Sequence, residues 1–392
     1  MRADSVAWER AAEVREVAGG WRRAGFIDEP TEQAIREAFP DPCVTPSLVW
    51  RVLTAGVLAA AIKAAFGAFA IAIGRSPTAA EIVSLLFAAG CVVATERLEA
   101  SPRLARRGAA GMTALLGVGF LLLALVLFLT ETASRRIDDH AIDLLLIAST
   151  LAWAAACWRW GSPVFAALAA LSVFLFLGRL PHGRLLWLLV GAALVALAAR
   201  RLDTASWAPS HRLGAAVLVV AGIGAVYAAV NVFSLDEHLL EEMVRHSPGR
   251  PPSSRGLFAL SAGATTVVPL AVLAWGVRSR RTFVLDTGIV LAALSLVTLR
   301  HYVHLAPLWT VLIVAGAVLV IAALVVERAL RRAPAHELAG FTAEPLFSDE
   351  RRQHALQVVP VVAAFTPAAA ADRPGFAGEG GKFGGGGATE KF

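Results

Sequence analysis

The chain has 392 residues, of which 57% are hydrophobic and only 17% charged, with a mean hydropathy of +0.64. A soluble domain carries about a quarter charged residues, so this composition excludes an ordinary water-soluble globular protein. The formal charge of +6 does not indicate a nucleic-acid partner, because the basic residues, nearly all Arg, sit at the ends of apolar blocks, where they set orientation in a bilayer.

Many of these blocks reach the roughly 18–20 residues needed to cross a hydrocarbon core of about 30 Å. In lipid the backbone must satisfy its own hydrogen bonds, and the alternating pattern of a barrel strand is absent, so the blocks are helices. The predicted fold is all-α, a polytopic transmembrane helix bundle of about ten spans (eight to ten), with the lipid bilayer as its first partner.

In chain order, residues 1–47 read as a cytosolic amphipathic two-helix segment. Val6, Ala11, Val14 and Val17 recur at helical spacing over 5–19. A second helix starts after Gly25-Phe26-Ile27, with Asp28 or Glu29 as N-cap and Pro30 in the first turn, where its missing N–H costs nothing. This hairpin is expected to lie on the membrane face, with ligand sensing as the alternative. Met1 to Pro40 lacks the basic region and apolar core of a cleavable signal peptide.

The transmembrane bundle covers 48–327, with spans predicted at 52–74, 79–96, 109–130, 141–158, 163–178, 185–199, 213–234, 257–276, 282–299 and 308–326. The fifth and sixth are short enough to form a pair that dips only part-way. Arg is denser against the span ends on the N-terminal side (Arg103, Arg106 and Arg107; Arg200 and Arg201; Arg278, Arg280 and Arg281), which places both termini in the cytoplasm. A juxtamembrane segment follows over 328–372, in which the run Val358 to Phe365, interrupted by Pro360, is too short to span. The tail, 373–392, is so rich in Gly that it holds no secondary structure until a protein partner binds it.

Lys63 is the intramembrane polar candidate, since a charge at mid-span costs on the order of 2.5–3.5 kcal/mol on insertion scales. Gly56, Ala60, Gly67, Ala70 and Gly74 form one stripe with it, while Ile62, Phe66, Phe69 and Ile73 occupy another face, expected to meet lipid. A small-residue stripe lets another helix approach, so Lys63 is expected to point into the bundle. Its ion-pair partners would come from Glu81, Glu96, Asp143 or Asp286, all near span ends and interfacial in reading. A transport or proton-relay role and simple snorkelling are the alternatives.

In "LDEHLLEEMVRH", His238, Glu242 and His246 fall at i, i+4 and i+8 on the polar side of a helix, and His301 with His304 could complete a metal site. The competing reading is an amphipathic helix on the outer surface. Cys43, Cys91 and Cys157 have neither disulfide-framework nor zinc-type spacing. H-E-x-x-H, G-x-S-x-G, Walker A and strand-following G-x-G-x-x-G patterns are missing, so no catalytic residue and no cofactor is nominated. The eighth span, with Gly263, Thr265, Thr266 and Pro269, looks broken, without the matching interruption of an inverted-repeat transporter.

Two segments carry family resemblances. "GGWRRAGFIDEPTEQAIREAF", with Trp21, Gly25, Phe26, Ile27 and Asp28, resembles the start of a bacterial family of predicted membrane proteins of unknown function that open with a short cytosolic two-helix segment. This implies a bacterial cytoplasmic (inner) membrane location and no activity. "GFAGEGGKFGGGGATEKF" is similar to the aromatic-punctuated Gly-rich tails of TPM-domain membrane proteins, through Phe376, Gly378, Gly380, Gly381, Phe383, Gly384 to Gly387 and Phe392. Glu379, Lys382 and Glu390-Lys391 make this tail more charged than theirs, and the TPM domain itself is missing. The leading expectation is a non-enzymatic scaffold or sensor. A secondary transporter using Lys63 is the alternative, and a membrane enzyme with an outward His/Glu metal site comes third.

Overall fold

The computed structural model describes residues 3–23, 27–41, 43, 47–73, 76–101, 104, 108–132, 139–202, 207–235, 255–279 and 281–303, and scattered positions between 310 and 342. Among these, two helices, α1 (Ala3–Arg23) and α2 (Glu29–Ala38), precede nine long apolar ones. The nine are α3 (Leu48–Ile73), α4 (Pro77–Glu99), α5 (Ala109–Thr132), α6 (Asp139–Trp160), α7 (Pro163–Arg179), α8 (Gly183–Leu202), α9 (Pro209–Val230), α10 (Arg255–Ser279) and α11 (Thr282–Val303). Eight of them are long and apolar enough to cross a membrane, and α7 is apolar but 17 residues long, about 25 Å at 1.5 Å per residue. The chain is therefore a multi-pass integral membrane protein with an all-α bundle. Each of the first nine predicted spans coincides with one of these helices. The tenth, 308–326, and the tail lie largely or wholly outside the described residues.

The chain forms two compact units, Met1–Leu305 and Ala306–Phe392. In the second, a two-residue antiparallel pair, Glu337–Leu338 with Phe341–Thr342, is described.

Lipid tails are as apolar as Leu, so burial does not hold these helices together; close packing and interhelical hydrogen bonds do. Hydroxyl pairs bridge neighbours within the bundle: Thr95 to Thr113 between α4 and α5 at 2.9 Å, and Ser149 to Ser172 between α6 and α7 at 2.9 Å. α8 and α9 cross back to back at two glycines. A Cβ on Gly191 would stand 2.9 Å from the Gly222 carbonyl oxygen, and a Cβ on Gly222 2.8 Å from the Gly191 carbonyl oxygen. From that crossing a core spreads over α8 to α11 through Val219, Ile223, Tyr227, Val272, Val284 and Leu291.

The eighth span is not broken. α10 runs continuously through Pro269, whose ring removes the N–H that would have served the Thr265 carbonyl four residues earlier. The Ser295 hydroxyl on α11 donates to that carbonyl at 2.7 Å instead, and Tyr227 on α9 lies 3.0 Å from the same Ser295 oxygen. A partner thirty residues away thus keeps the helix intact where the sequence suggests an interruption.

Candidate functional site

The expectation that Lys63 points into the bundle is corrected. Lys63 is exposed on α3, as are Gly56 and Ala60, and a Cβ on Gly56 or Gly67 would meet nothing within 4 Å. The face expected to meet lipid turns inward at two of its residues: Ile62 and Phe66 pack on Ala88, Cys91 and Phe120. The physical reason is an aromatic cluster. Phe66 stands edge-on to Phe87 at 5.4 Å and tilted against Phe120 at 4.8 Å, which a stripe of Gly and Ala cannot match.

The proposed partner carboxylates lie elsewhere, each the fourth or fifth residue from a helix end. Glu96 accepts from Arg159 at 2.5 Å and from the Trp160 indole at 3.1 Å, and Asp143 accepts from Arg179 at 2.6 Å. Glu81 is half-buried and Asp286 exposed. Among the described residues, none of these four pairs with Lys63. His301 sits edge-on to Phe233 and Tyr302, at 5.6 and 5.1 Å. His238, Glu242, His246 and His304 lie outside the described residues, and no group of three metal-ligating side chains occurs among those described.

The elements that do converge lie at the end of the bundle carrying α1 and α2, around the first turn of α9. That helix starts at Ala208-Pro209 without a side-chain cap of its own. The missing oxygen comes from α1: the Ser210 N–H donates to the Glu9 carboxylate at 3.1 Å, and Arg212 donates to Glu13 at 2.6 Å. A carboxylate at a helix N-terminus both satisfies an orphan N–H and meets the positive end of the dipole. Between these two contacts His211 turns the other way, with Nε2 3.2 Å from the Trp158 carbonyl. The α6–α7 turn presses on the same point. Gly161 adopts φ +70°, and a Cβ there would stand 2.6 Å from Ser210 Oγ and 3.0 Å from His211 Nδ1.

Beside this node α6, α7, α8 and α9 enclose a cavity of about 510 Å³. Its depth is lined by small and aliphatic side chains such as Ala169, Val173, Leu194 and Leu218. Its mouth carries Trp158, Arg201, Trp207 and His211. The Arg201 guanidinium lies 5.3 Å from the centre of the Trp207 ring, and Trp207 meets His211 edge-on at 6.0 Å.

Compared with known protein families, curated proteins and solved structures, the chain matches none.

The hairpin that docks on α9 is itself locked. Asp28 caps α2 by accepting from the Thr31 N–H at 3.0 Å, with Pro30 in the first turn. Glu32 is buried at 3% exposure, yet it accepts from Arg22 of α1 at 2.9 Å and from Arg36 at 2.5 Å. The Arg22 hydrogen bond, aided by Arg36, holds the Glu32 carboxyl below its ordinary range. Sequence reasoning missed Glu9, Glu13, Arg201, Trp207 and His211 as site residues. The available signal was Ala208 where a helix start wants Ser, Thr, Asp or Asn, which means the cap comes from elsewhere.

Proposed function

We propose that this integral membrane protein is a non-enzymatic scaffold of the bacterial cytoplasmic membrane, both termini in the cytoplasm, which receives a helix of a second membrane protein on the outward face of α3. The observation that carries the reading is the position of Lys63. Lys63 lies fifteen residues from Leu48 and ten from Ile73, about 22 and 15 Å along α3, so it stands in the middle part of the span. A cation left there in lipid is costly, and the lysine stem covers only part of the way to either interface. Gly56 and Ala60 beside it leave room for a close helix approach.

The chemistry that fits is a transmembrane helix carrying an Asp or Glu at mid-membrane depth. A symmetric contact between two copies of this chain is disfavoured, since it would set Lys63 against Lys63. The transporter alternative needs a polar cavity at Lys63, whereas this side chain faces outward.

The test places a photo-crosslinking amino acid at Ala60 in native membranes and identifies the adduct by mass spectrometry. One discrete partner with an acidic residue at mid-span is expected. Lys63→Asp should abolish the adduct, and the reciprocal acid-to-lysine change in the partner should restore it. Adducts only to lipid, to a second copy or to residues 308–326 of the same chain would overturn the reading, as would an adduct indifferent to Lys63→Asp.

A further inference from the structure

The cavity between α6, α7, α8 and α9 has the polarity profile of a lipid. Val173 lies ten residues into α7 and Leu218 nine into α9, so the cavity reaches about 15 Å from the hairpin end. That is half of a hydrocarbon core of about 30 Å, the depth of one leaflet. The volume falls within the roughly 300–1,000 Å³ of small-molecule sites. Its wall is apolar apart from Thr150, whose hydroxyl donates to the Leu146 carbonyl of its own helix, and its rim opens outward, where Trp158 is 76% exposed and Leu197 62% exposed.

The mouth differs in kind from the depth. Arg201 sits there with its guanidinium against the Trp207 ring, and among the described residues no carboxylate pairs with it. Nearby Arg159 and Arg212 are already held by Glu96 and Glu13. A cation with no carboxylate partner among the described residues, at the mouth with two indoles and an imidazole above a largely apolar slot one leaflet deep, selects an amphiphile with an anionic head. A soluble anion would leave the slot unused, and a zwitterionic lipid, although its phosphate could also meet Arg201, would bring a second cation beside the guanidinium.

We infer that this cavity binds one anionic phospholipid from the leaflet on the hairpin side, its acyl chain in the α6–α9 slot and its phosphate at Arg201. The site adjoins the Glu9–Ser210 and Glu13–Arg212 contacts through His211, so an occupied cavity braces the turn on which the hairpin docks. This is independent of the partner helix at α3.

The experiment is native mass spectrometry of the purified full chain in detergent, titrated with phosphatidylglycerol, with phosphatidylcholine or with inorganic phosphate. One phosphatidylglycerol is expected to bind more tightly than phosphatidylcholine. Arg201→Gln should weaken it by about five- to tenfold, to the phosphatidylcholine level, and Arg201→Lys should keep most of the preference. Ala154→Phe, which fills the slot from its exposed rim, should weaken both lipids while leaving the lipid-free melting temperature unchanged. Equal binding of the two lipids, or phosphatidylglycerol binding indifferent to Arg201→Gln, would overturn the inference. Displacement of phosphatidylglycerol by millimolar phosphate would also overturn it, because the ligand would then be a soluble anion.

Discussion

Replacing Gly222 by alanine adds one methyl group at the α8–α9 crossing. The new Cβ would stand 2.8 Å from the Gly191 carbonyl oxygen, 2.8 Å from a Val195 methyl and 3.2 Å from the Val195 amide nitrogen. Ordinary contact begins near 3.4 Å, so α8 and α9 must separate by about 0.6 Å, against two backbone atoms that cannot rotate away. Overpacking of this kind costs about 1–3 kcal/mol. Against it stands the better helix propensity of Ala, worth about 1 kcal/mol. Gly224, two residues on in the same helix, has nothing within 4 Å of its Cβ position, so Gly224→Ala takes the propensity gain without the clash. The two variants should therefore differ by about 1–3 kcal/mol, roughly 2–12 °C in melting temperature, with Gly222→Ala the lower. A thiol-reactive dye reads this directly in detergent, because Cys91 is buried and Cys157 half-buried until the bundle opens; a Cys43→Ser background removes the third thiol. Gly191→Ala and Gly222→Ala are relieved by the same separation, so the double variant should cost less than their sum. If Gly222→Ala melts with Gly224→Ala, α8 and α9 do not cross at these glycines and the reasoning fails.

Ser295→Ala should destabilise the bundle by about 1–2 kcal/mol by orphaning the Thr265 carbonyl and the Tyr227 hydroxyl, and Pro269→Ala, which restores the local N–H, should recover only the carbonyl's share of that loss; equal losses in both backgrounds would refute the bridging role. Glu9→Ala should remove the trans cap of α9, worth about 1 kcal/mol, and raise amide exchange at Ser210, whereas Glu9→Asp should fall between the two. The Glu32 carboxyl is held below its ordinary value near 4.5, so its contribution to the hairpin is complete above that pH and is lost as pH falls through the depressed value; exchange protection of residues 3–38 should drop there, and Glu32→Gln should abolish that pH step. Deleting residues 373–392 should leave the melting temperature of the purified protein unchanged; a clear loss would mean the tail docks on the bundle.

The span positions were legible because an apolar block of some twenty residues has few alternatives. Rotation about each axis was not. α3 is apolar all round, so nothing in its periodicity ranks the Gly56–Ala60–Lys63 side against the Ile62–Phe66 side. What decides is the size of Phe87 and Phe120 on other helices, which the local pattern does not contain. Pro269 reads as a break for the same reason, since the hydroxyl that repairs it is on α11. The capping of α2 was readable, because Asp28 and Thr31 are three residues apart. The capping of α9 was not, because its carboxylate is 201 residues upstream. Arg201 was visible only as one of many orientation-setting arginines, and its neighbours Trp207 and His211 lie across a helix turn from it.

The span between Glu9 and Ser210 also has a meaning in time. A ribosome adding about 5–20 residues per second needs roughly 10–40 s to make the 201 residues that separate them. During that interval the hairpin is complete but has nowhere to dock, and Glu9 and Glu13 stay in water. The hairpin, made before α3, is thus placed only once α9 exists, and its placement certifies that the chain has been inserted as far as α9. A nascent chain that stalls earlier keeps a loose, hydrated hairpin, which is the form a membrane-bound protease can seize.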